Sequence, residues 1–491
     1  VAAIDEDTAI EACELIEVEY ELLDTIVTAE QALVTPEPPI HDDRKQRNNI
    51  SKHVELEFGD VDAQVADADL VVENDYYFHS TTHAAIEPHC AVATFDNDGR
   101  LTLWSSTQIT HYVHRALSRV LEMDPAKIRV IQPNVGGGFG GKSDPFALEF
   151  ITAMLSKKSG RPVKMLWTRE EVFYAHRGRH SMQMHYRTTA KSDGTITSVD
   201  AKLLIDGGSY SSFGLVTTYY SGQLLTGPYA FPNYRFDSTR VFTNRPPCGP
   251  KRGHGSVQPR FAFEVQLDEV ATKLDIDPIE IRRKNFLGEN TTTVNGQRIT
   301  SNGFLECLDA VEESSDWKNK HRKMTYGTGI GVAGSMYISG TNYPVYPNKM
   351  PQAGVQLKVD RSGLVTVFTG GNDCGQGSNS MVAYCVAEEM GINPDSIKVV
   401  AADTDLCPVD LGAYSSRVTF MVGNAAIDAA RKMRNKIVEA VAEHWQVEKE
   451  SVRIIDGTVY NLDNDEETLS QRESFHITEE KFDTLGSTGS Y

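Results

Sequence analysis

The stretch VGGGFGGKS, residues 135–143, matches two nucleotide-binding patterns at once. The run GGGFGG fits G-x-G-x-x-G, the dinucleotide fingerprint, and the longer run ending in Lys142 and Ser143 fits the P-loop pattern G-x-x-x-x-G-K-[ST]. The two patterns predict different ligands, so the flanking sequence has to decide between them or exclude both.

The dinucleotide hypothesis fits the flanking sequence poorly. A Rossmann unit needs an acidic residue about 20 positions beyond the glycines, at the end of the second strand, where it binds the ribose. The second strand here is PVKMLW, and Thr168 and Arg169 stand where that acid is required.

The P-loop hypothesis has one supporting feature and one opposing feature. A P-loop follows a strand directly and works with a second strand that ends in an acidic residue. The stretch KLLID, which ends at Asp206, could supply that acid, but Pro133 interrupts the strand before the glycines. A P-loop NTPase that uses Lys142, Ser143 and Asp206 therefore remains an alternative from another functional class.

Both patterns share a corner of backbone N–H groups that no side chain shields. We expect a strand to give way here to a helix, with Ser143 as N-cap and Pro145 in the first turn. Such a corner binds anions or oxo groups through the main chain.

Further glycine corners follow along the chain. They are GGSYSSFG (207–214), CGPKRGHG (248–255), TGGNDCGQGSN (369–379) and GAYSSRVTFMVGN (412–424). Several main-chain cradles with amide and hydroxyl side chains and few acids favour a large, phosphate-bearing cofactor that lies across domains. HRGRH (176–180) lacks the helical context of a His-x-x-x-His metal site, so we predict no metal held by protein side chains.

Composition excludes several classes of protein. The chain has 491 residues and a net charge of −20, which argues against nucleic acid or an anionic membrane as the main partner. Its seven cysteines never form C-x-x-C, which argues against a zinc site or an Fe–S cluster within this chain and favours a reducing cytoplasm. No long apolar run predicts membrane insertion.

Hydrophobic periodicity predicts a mixed α and β protein of several domains. We expect a helix over 5–16, a strand at EVEYELL, and a linker in the proline-rich stretch that begins at residue 35. Strands and helices alternate from about residue 53, with an N-D-G hairpin at 97–99 and a helix that ends at Gly160. A second unit begins near residue 326 and includes a long helix at AAIDAARKMRNKIVEAVAEHW. Because the chain opens on Val1 and in the middle of a domain pattern, we expect a fragment or a processed chain.

Eight ordered motifs together are far more specific than any single glycine run. They are STQ (106–108), VGGGFGGK (135–142), RPVKMLWTREE (161–171), HRGRH (176–180), GPYAFPN (227–233), KRGHG (251–255), IRRKN (281–285) and GQGSN (375–379). From about residue 60 onward the chain resembles the molybdenum-cofactor subunit of the xanthine oxidase family. Within that family, IRVIQPNVGGGFG, TNRPPCGPKRGHG and GAYSSRVTFMVGNA resemble the large subunit of 4-hydroxybenzoyl-CoA reductases most.

The resemblance implies an α+β fold of several domains. Residues 1–34 would end an α/β hammerhead-like domain, and residues 35–60 would form a linker. Residues 61–320 and 325–491 would form two molybdopterin-binding α/β domains, the second of them truncated.

The resemblance also implies roles for individual residues. Gln108 would lie beside an oxo or sulfido ligand of molybdenum, Phe139 and Gly140 would offer a backbone N–H to the same ligands, and Arg252 would flank the metal. The residues expected to hold the pterin and its phosphates are Gly138, Phe139, Gly140, Arg252, Gly253, His254, Gly375, Gln376, Gly377, Ser378, Asn379, Ser415, Ser416 and Asn424. Molybdenum would take its sulfur ligands from the pterin and none from protein cysteines.

Structural roles compete with some of these assignments. Arg252 could be an ion-pair partner and Gln108 a helix-start residue, and for Tyr210, Tyr219 and Tyr220 packing is favoured over a place in a substrate pocket. We expect a structural role for Glu87 in HAAIEPHC. The family's catalytic glutamate would lie beyond residue 491, so no residue is assigned as general base.

The implied function is that of a molybdenum-dependent oxidoreductase in the cytoplasm. Its cofactor would be molybdopterin in the cytosine dinucleotide form, and partner subunits would carry [2Fe–2S] clusters and FAD in a hetero-oligomer. The leading substrate is 4-hydroxybenzoyl-CoA, which would lose its para hydroxyl as water. The alternative is hydroxylation of another aromatic or heteroaromatic compound, and a further alternative is a non-catalytic assembly protein.

Overall fold

A computed structural model of the chain describes residues 1–34, 39–42, 48–340 and 352–491. Most of the expected linker at 35–49 lies outside the described residues. The helices are α1 (Glu6–Glu14), α2 (Ala29–Val34), α3 (Val61–Ala66), α4 (Thr110–Val120), α5 (Ala147–Ser159), α6 (Arg169–Ala175), α7 (Thr217–Leu225), α8 (Val257–Lys273), α9 (Pro278–Lys284), α10 (Phe304–Ser314), α11 (Trp317–Lys320), α12 (Ser378–Met390), α13 (Gly423–Trp445) and α14 (Gln471–Phe482). None of the described helices combines the length and apolar character needed to cross a bilayer.

The described strands belong to five sheets, and the strands of one sheet can be far apart in the sequence. They are β1 (Ile50–Phe58), β2 (Leu70–Phe78), β3 (Cys90–Phe95), β4 (Leu101–Ser105), β5 (Ile128–Ile131), β6 (Val163–Leu166), β7 (Met182–Ala190), β8 (Ile196–Asp206), β9 (Asn233–Val241), β10 (Thr291–Thr292), β11 (Arg298–Ile299), β12 (Gly354–Val359), β13 (Val365–Thr369), β14 (Ile397–Ala401), β15 (Val452–Ile455), β16 (Thr458–Asn461), β17 (Thr468–Ser470) and β18 (Leu485–Ser490).

Two large sheets build most of the first half of the chain, and β10 and β11 form a small third sheet. One has the order β1-β9-β8-β7-β2. Buried residues of its inner face, such as Met184 and Tyr186 of β7, pack in one core with Phe263 of α8. The other has the order β5-β4-β3-β6 and packs on α4 and α5 through Leu103, Val113 and Ala153. In the first of these sheets, β8 and β9 are parallel and the other pairs are antiparallel. The period-two burial in β7 and β9 is typical of strands in a sheet with one covered face.

The second half of the chain has a separate core. A sheet of order β14-β13-β12-β18 packs on the long helix α13, and β15, β16 and β17 form a smaller sheet beside it. Backbone bonds between Gln132 and Ala402, and between Gly137 and Cys374, join the two halves. The salt bridge from Arg129 to Asp403, at 2.5 Å, strengthens the same junction.

Several local expectations are confirmed and others are wrong. The hairpin between β3 and β4 turns at Gly99, and α5 ends at Gly160, each with a left-handed backbone. EVEYELL forms no strand and stays exposed, because no other described strand lies beside it to take its hydrogen bonds. The expected linker 35–60 extends too far, since residues 50–58 form β1 and pair with β9.

Candidate functional site

A cavity of about 900 Å³ lies where loops from both halves of the chain meet. Its described lining residues are Gln108, Ile109, Tyr112, Phe139, Gly140, Ser143, Phe213, Val216, Tyr219, Tyr220, Pro250, Lys251, Arg252, Gly253, His254, Tyr337, Tyr414, Ser415 and Ser416. None of these described residues is Asp or Glu, and two are cations. The cavity therefore suits ligands that carry negative charge, although the whole chain is acidic.

Gln108 ties the loop that contains the glycine run to the second half of the chain. Its buried Oε1 accepts hydrogen bonds from the backbone N–H groups of Gly140, at 3.0 Å, and Lys142, at 3.2 Å. Its Nε2 donates to the carbonyl of Ala413 at 2.7 Å. Because an amide nitrogen carries two hydrogens, one of them is left for a ligand.

The close approach of Gln108 explains why this loop needs glycine. A Cβ at Gly138 would lie 2.4 Å from Gln108 Oε1, and a Cβ at Gly140 would lie 2.7 Å from the carbonyl oxygen of Pro250. Gly140 also has φ of +95°, which side chains rarely tolerate. The N–H of Gly140 donates to Gln108 here, so the structure does not leave it open toward a metal ligand as expected.

The expected helix start at Ser143 is wrong. α5 begins at Ala147 with Phe146 as its N-cap, and Ser143 donates its hydroxyl to the carbonyl of Gly140 at 2.6 Å. The glycine run is therefore a turn within a longer loop.

The P-loop alternative is also wrong. The Lys142 side chain is buried, and its Nζ donates to Glu87 Oε2 at 2.6 Å. The same oxygen accepts from the N–H of Gly136 at 2.6 Å, which supports the structural role expected for Glu87. Asp206 accepts from the Thr243 hydroxyl and the Gly208 N–H. These contacts bind the loops internally, so Lys142 and Asp206 do not form a nucleotide site.

The KRGHG corner supplies the cationic end of the cavity. The N–H of Arg252 donates to the Phe139 carbonyl at 2.9 Å, which joins this corner to the glycine run. Neither Lys251 nor Arg252 forms a salt bridge with a described residue, so the structure does not favour the ion-pair alternative for Arg252. His254 contacts the Thr217 hydroxyl at 2.6 Å, and desolvation lowers its pKa to about 3, so the ring is neutral.

The HRGRH segment supports that corner from behind. Arg179 donates to the carbonyl oxygen of Arg252, and His180 contacts Arg240 at 3.2 Å. His176 contacts the Thr82 hydroxyl at 2.6 Å. The two histidines thus bind different neighbours and do not form a common metal site.

In the second half, Ser415 and Ser416 line the cavity, both with left-handed backbones. The GQGSN loop does not line it. The Asp373 carboxylate accepts from three backbone N–H groups of that loop, those of Gly375, Gly377 and Asn379, at 2.9, 3.3 and 2.9 Å.

Two further residues expected to hold the pterin bind the protein itself in the described chain. The Gln376 amide binds the Cys374 N–H, at 2.6 Å, and the Ser378 hydroxyl, at 2.7 Å. Asn424 donates to the Phe420 carbonyl at 2.6 Å. Like Gly138, these residues lie outside the lining of the cavity.

Sequence reasoning missed most of the aromatic wall of the cavity. Its described members are Tyr112, Phe213, Tyr219, Tyr220, Tyr337 and Tyr414, together with Phe139. Tyr219 and Tyr220 line the cavity, whereas Tyr210 is 59% exposed and does not. The pair Tyr219 and Tyr220, just before the GPYAFPN motif, could have indicated this wall from the sequence. Tyr112 and Tyr414 carried none, because they come from a helix and a loop far apart in sequence.

Comparison with known proteins agrees with this arrangement. Profiles of the molybdopterin cofactor-binding domain match residues 40–286 and residues 310–491. The chain is 38% identical over 316 residues to the nicotinate dehydrogenase large molybdopterin subunit of Eubacterium barkeri, covering 64% of this chain and 73% of that protein.

Two other proteins match nearly the whole chain. A putative xanthine dehydrogenase molybdenum-binding subunit of Escherichia coli K12 is 32% identical over 476 residues, which cover 96% of this chain and 62% of that protein. The structure of quinoline 2-oxidoreductase from Pseudomonas putida 86 superposes with a TM-score of 0.92 at 25% identity, over 100% of this chain and 65% of that one. The mixed α/β fold with two molybdopterin-binding domains is thus confirmed, and the chain belongs to the molybdopterin-binding large subunits of the xanthine oxidase family.

Proposed function

We propose that this chain is the catalytic, molybdopterin-binding part of a molybdenum hydroxylase for aromatic or heteroaromatic compounds. The observation that best supports this proposal is a single cavity with a wall of aromatic rings and a cationic end. None of its described lining residues is a carboxylate. Rings bind planar substrates by stacking, and the cations attract negative charge.

The described residues fit a large cofactor that carries phosphates and many hydrogen-bonding groups. Both amide atoms of the fully buried Asn372 and the Oδ1 of Asn379 have no partner among the described residues. Such atoms cost free energy unless a ligand or water satisfies them. Ser415, Ser416 and the free hydrogen of Gln108 Nε2 would hold the pterin, with Lys251 and Arg252 near its negative charge.

When bound, the molybdenum cofactor supplies the two-electron redox chemistry, and the chain positions the substrate for it. Tyr112, Phe213 and Tyr220 would enclose the aromatic ring and exclude water, and Arg252 would orient polar substituents. His254 is neutral and bonded to Thr217, so it offers no ionised group. We assign no general base among the described lining residues.

Hydroxylation has more support than reductive dehydroxylation of 4-hydroxybenzoyl-CoA. The names of the relatives described above refer to nicotinate, xanthine and quinoline, all of them heteroaromatic. The thioester substrate rests only on the sequence tracts that resemble the reductases. We therefore place it second, as a substrate to include in the assay.

The assembly around the chain is a further part of the proposal. The chain spans 62% of the length of the Escherichia coli relative, and several relatives are named as subunits. We propose partner subunits with [2Fe–2S] clusters and FAD, the cytosine dinucleotide form of molybdopterin, and a cytoplasmic location. We also propose that residues 1–34 end a hammerhead-like domain.

Co-expression with the neighbouring subunits tests the proposal. We expect molybdenum by elemental analysis, pterin fluorescence after oxidation, and reduction of an artificial electron acceptor with nicotinate, xanthine, quinoline or 4-hydroxybenzoyl-CoA. Arg252→Ala should lower kcat/KM by about tenfold or more for the preferred substrate, and Tyr210→Phe, outside the cavity, should not. Absence of both molybdenum and pterin from the complex would overturn the proposal.

A further inference from the structure

Asp144 is a buried carboxylate that stands just behind the cavity wall. It follows Ser143, which lines the cavity, but Asp144 itself does not, and only 4% of its surface is exposed. Nothing in the proposed chemistry uses it. A buried acid with no role in stability or function is unusual, so its contacts carry information.

The Asp144 side chain joins three segments of the wall. Its Oδ1 accepts from the backbone N–H of Phe213 at 3.4 Å, and Phe213 in turn packs edge-on against Tyr112 at 5.3 Å. Its Oδ2 lies 4.0 Å from Arg177 Nε. A Cβ at Gly249 would lie 3.3 Å from the same oxygen, so the CGPKRGHG corner closes over it.

The Asp144 carboxylate and the Arg177 guanidinium do not form a complete set of hydrogen bonds. Asp144 Oδ2 and Arg177 Nε are both buried, and neither has a hydrogen-bond partner among the described residues. Gly214, next to Phe213, has so little room that a Cβ would lie 2.1 Å from the Cys248 carbonyl oxygen. The Phe213 segment is thus held between Asp144 on one side and the CGPKRGHG corner on the other.

Few other charges face this carboxylate. Arg177, from the segment after α6, is the one cation within 4.0 Å among the described residues. Cys248 lies next to Gly249, and burial raises the pKa of its thiol to about 12, so that it stays neutral. Glu149, on the following helix, accepts from Ser105 and from the N–H of Phe146 and is therefore engaged elsewhere.

We propose that Asp144 is a positioning residue whose ionised carboxylate fixes the Phe213 segment of the aromatic wall, and that its protonation loosens this segment and weakens substrate binding. The role in substrate binding rests on the proposed function. A charged acceptor makes the stronger bond to a backbone N–H, and only the ionised form attracts Arg177.

Asp144 titrates within a pH range in which the protein can be studied. Burial raises the pKa of Asp144 to about 6, against the lowering effects of the Ser212 hydroxyl, of Arg177 and of the Phe213 N–H, in that order. The carboxylate is therefore ionised at about pH 7.5 and protonated at about pH 5. The Phe213 segment should be fixed at the higher pH and loosened at the lower one.

Hydrogen exchange tests the proposal without any substrate. The amide protection factors of residues 207–216 are measured in the complete complex and corrected for intrinsic exchange. They should fall about fivefold from about pH 7.5 to about pH 5, which corresponds to the net free energy of one hydrogen bond. Asp144→Asn should show the low protection at both values. The control variant Glu149→Gln should show the same fall in protection between the two pH values as the wild type. A pH step that persists in Asp144→Asn would overturn the proposal.

A second variant covers the case in which Asp144→Asn fails to fold. Arg177→Gln removes the cation that favours ionisation, so the midpoint of the exchange step should move above its wild-type value. An unchanged midpoint would contradict the role of Asp144.

The kinetic readout separates this proposal from the proposed function. With the substrate that the assay identifies, Asp144→Asn should raise KM about fivefold at about pH 7.5 with a smaller change in kcat, and should flatten the pH dependence of KM. A loss confined to kcat would contradict a positioning role. If the wild-type complex turns over no substrate, the proposed function fails while the exchange experiment still decides the role of Asp144.

Discussion

Two glycine-rich loops, residues 135–143 and residues 372–379, are similar in composition but differ in what their backbone N–H groups bind. In the first loop, the neutral amide of Gln108 accepts from Gly140 and Lys142 beside the cavity. A carboxylate, that of Glu87, also accepts from Gly136, but it is paired with the Lys142 ammonium. In the second, the charged carboxylate of Asp373 accepts from three N–H groups, and the loop lies outside the lining.

The difference shows what a glycine run alone can predict. Glycines make backbone donors accessible, but a nearby side chain of the same protein can take them before any ligand does. A neutral acceptor, or a carboxylate that is paired with a cation, leaves the local field positive, whereas a carboxylate without such a cation cancels it. The first loop can therefore still attract an anion nearby, and the second loop must first release Asp373.

The largest expected effect comes from a matched pair of alanine variants. A Cβ at Gly140 would meet the Pro250 carbonyl, whereas a Cβ at Gly377 has open space, although both glycines have positive φ. Gly140→Ala should lower the free energy of unfolding by about 4 kcal/mol and abolish pterin retention. Gly377→Ala should cost about 1 kcal/mol, from backbone strain alone. Urea unfolding measures both, and equal losses would contradict the comparison.

The next largest loss of stability is expected from substitution of Gln108, because its side chain accepts hydrogen bonds from the backbone of the first loop. Gln108→Ala leaves the N–H groups of Gly140 and Lys142 without a partner and should cost about 3 kcal/mol. Gln108→Glu keeps the acceptor but loses the donor to Ala413, so its loss should be smaller. Thermal unfolding and pterin content report the two effects. If Gln108→Glu were the worse variant, the acceptor would not be the important group.

Glu149 tests the carboxylate at the start of the helix that follows the first loop. Burial raises its pKa to about 7, so the folded state binds this proton more tightly than the unfolded state does. The wild-type free energy of unfolding should therefore fall as pH rises from about 4.5 to about 7, by at most about 3 kcal/mol from this group. Glu149→Gln should remove that slope. Denaturant titration across this pH range measures it, with the exposed Glu450→Gln as control.

The smallest effect is expected for Asp373, at the corresponding place before α12. Asp373→Ala removes the acceptor of three N–H groups and should cost about 1–2 kcal/mol. Asp373→Asn keeps one acceptor oxygen and should cost less. Pterin retention is the informative measurement: a higher retention in Asp373→Ala would show that these N–H groups compete for the cofactor's phosphates.

Local sequence signals predicted much of the fold. The N-D-G turn, the end of α5 at Gly160 and the position of α13 are decided by backbone preferences and periodicity within a few residues. The strand expected at EVEYELL failed because a strand needs a neighbour, and the pattern of one segment does not reveal whether that neighbour exists.

The site was predicted in part for the same reason. Gln108, Phe139, Arg252 and Ser415 lie in recognisable motifs, and the structure places all four on the cavity. The aromatic wall was missed because Tyr112 and Tyr414 meet only through packing of distant elements. The internal partners of the glycine loops, Gln108 and Asp373, were equally invisible, since which donor binds which acceptor is a property of three dimensions.

The hydrogen bond from Gln108 to Ala413 joins residues that are 305 positions apart in the sequence. Closing so long a segment carries an entropic cost that the contacts between the two halves must offset. A ligand that binds only the completed cavity shifts that equilibrium toward the docked state by mass action. The cofactor of such a chain is therefore also a folding partner, and its supply during synthesis would set the yield of the native protein.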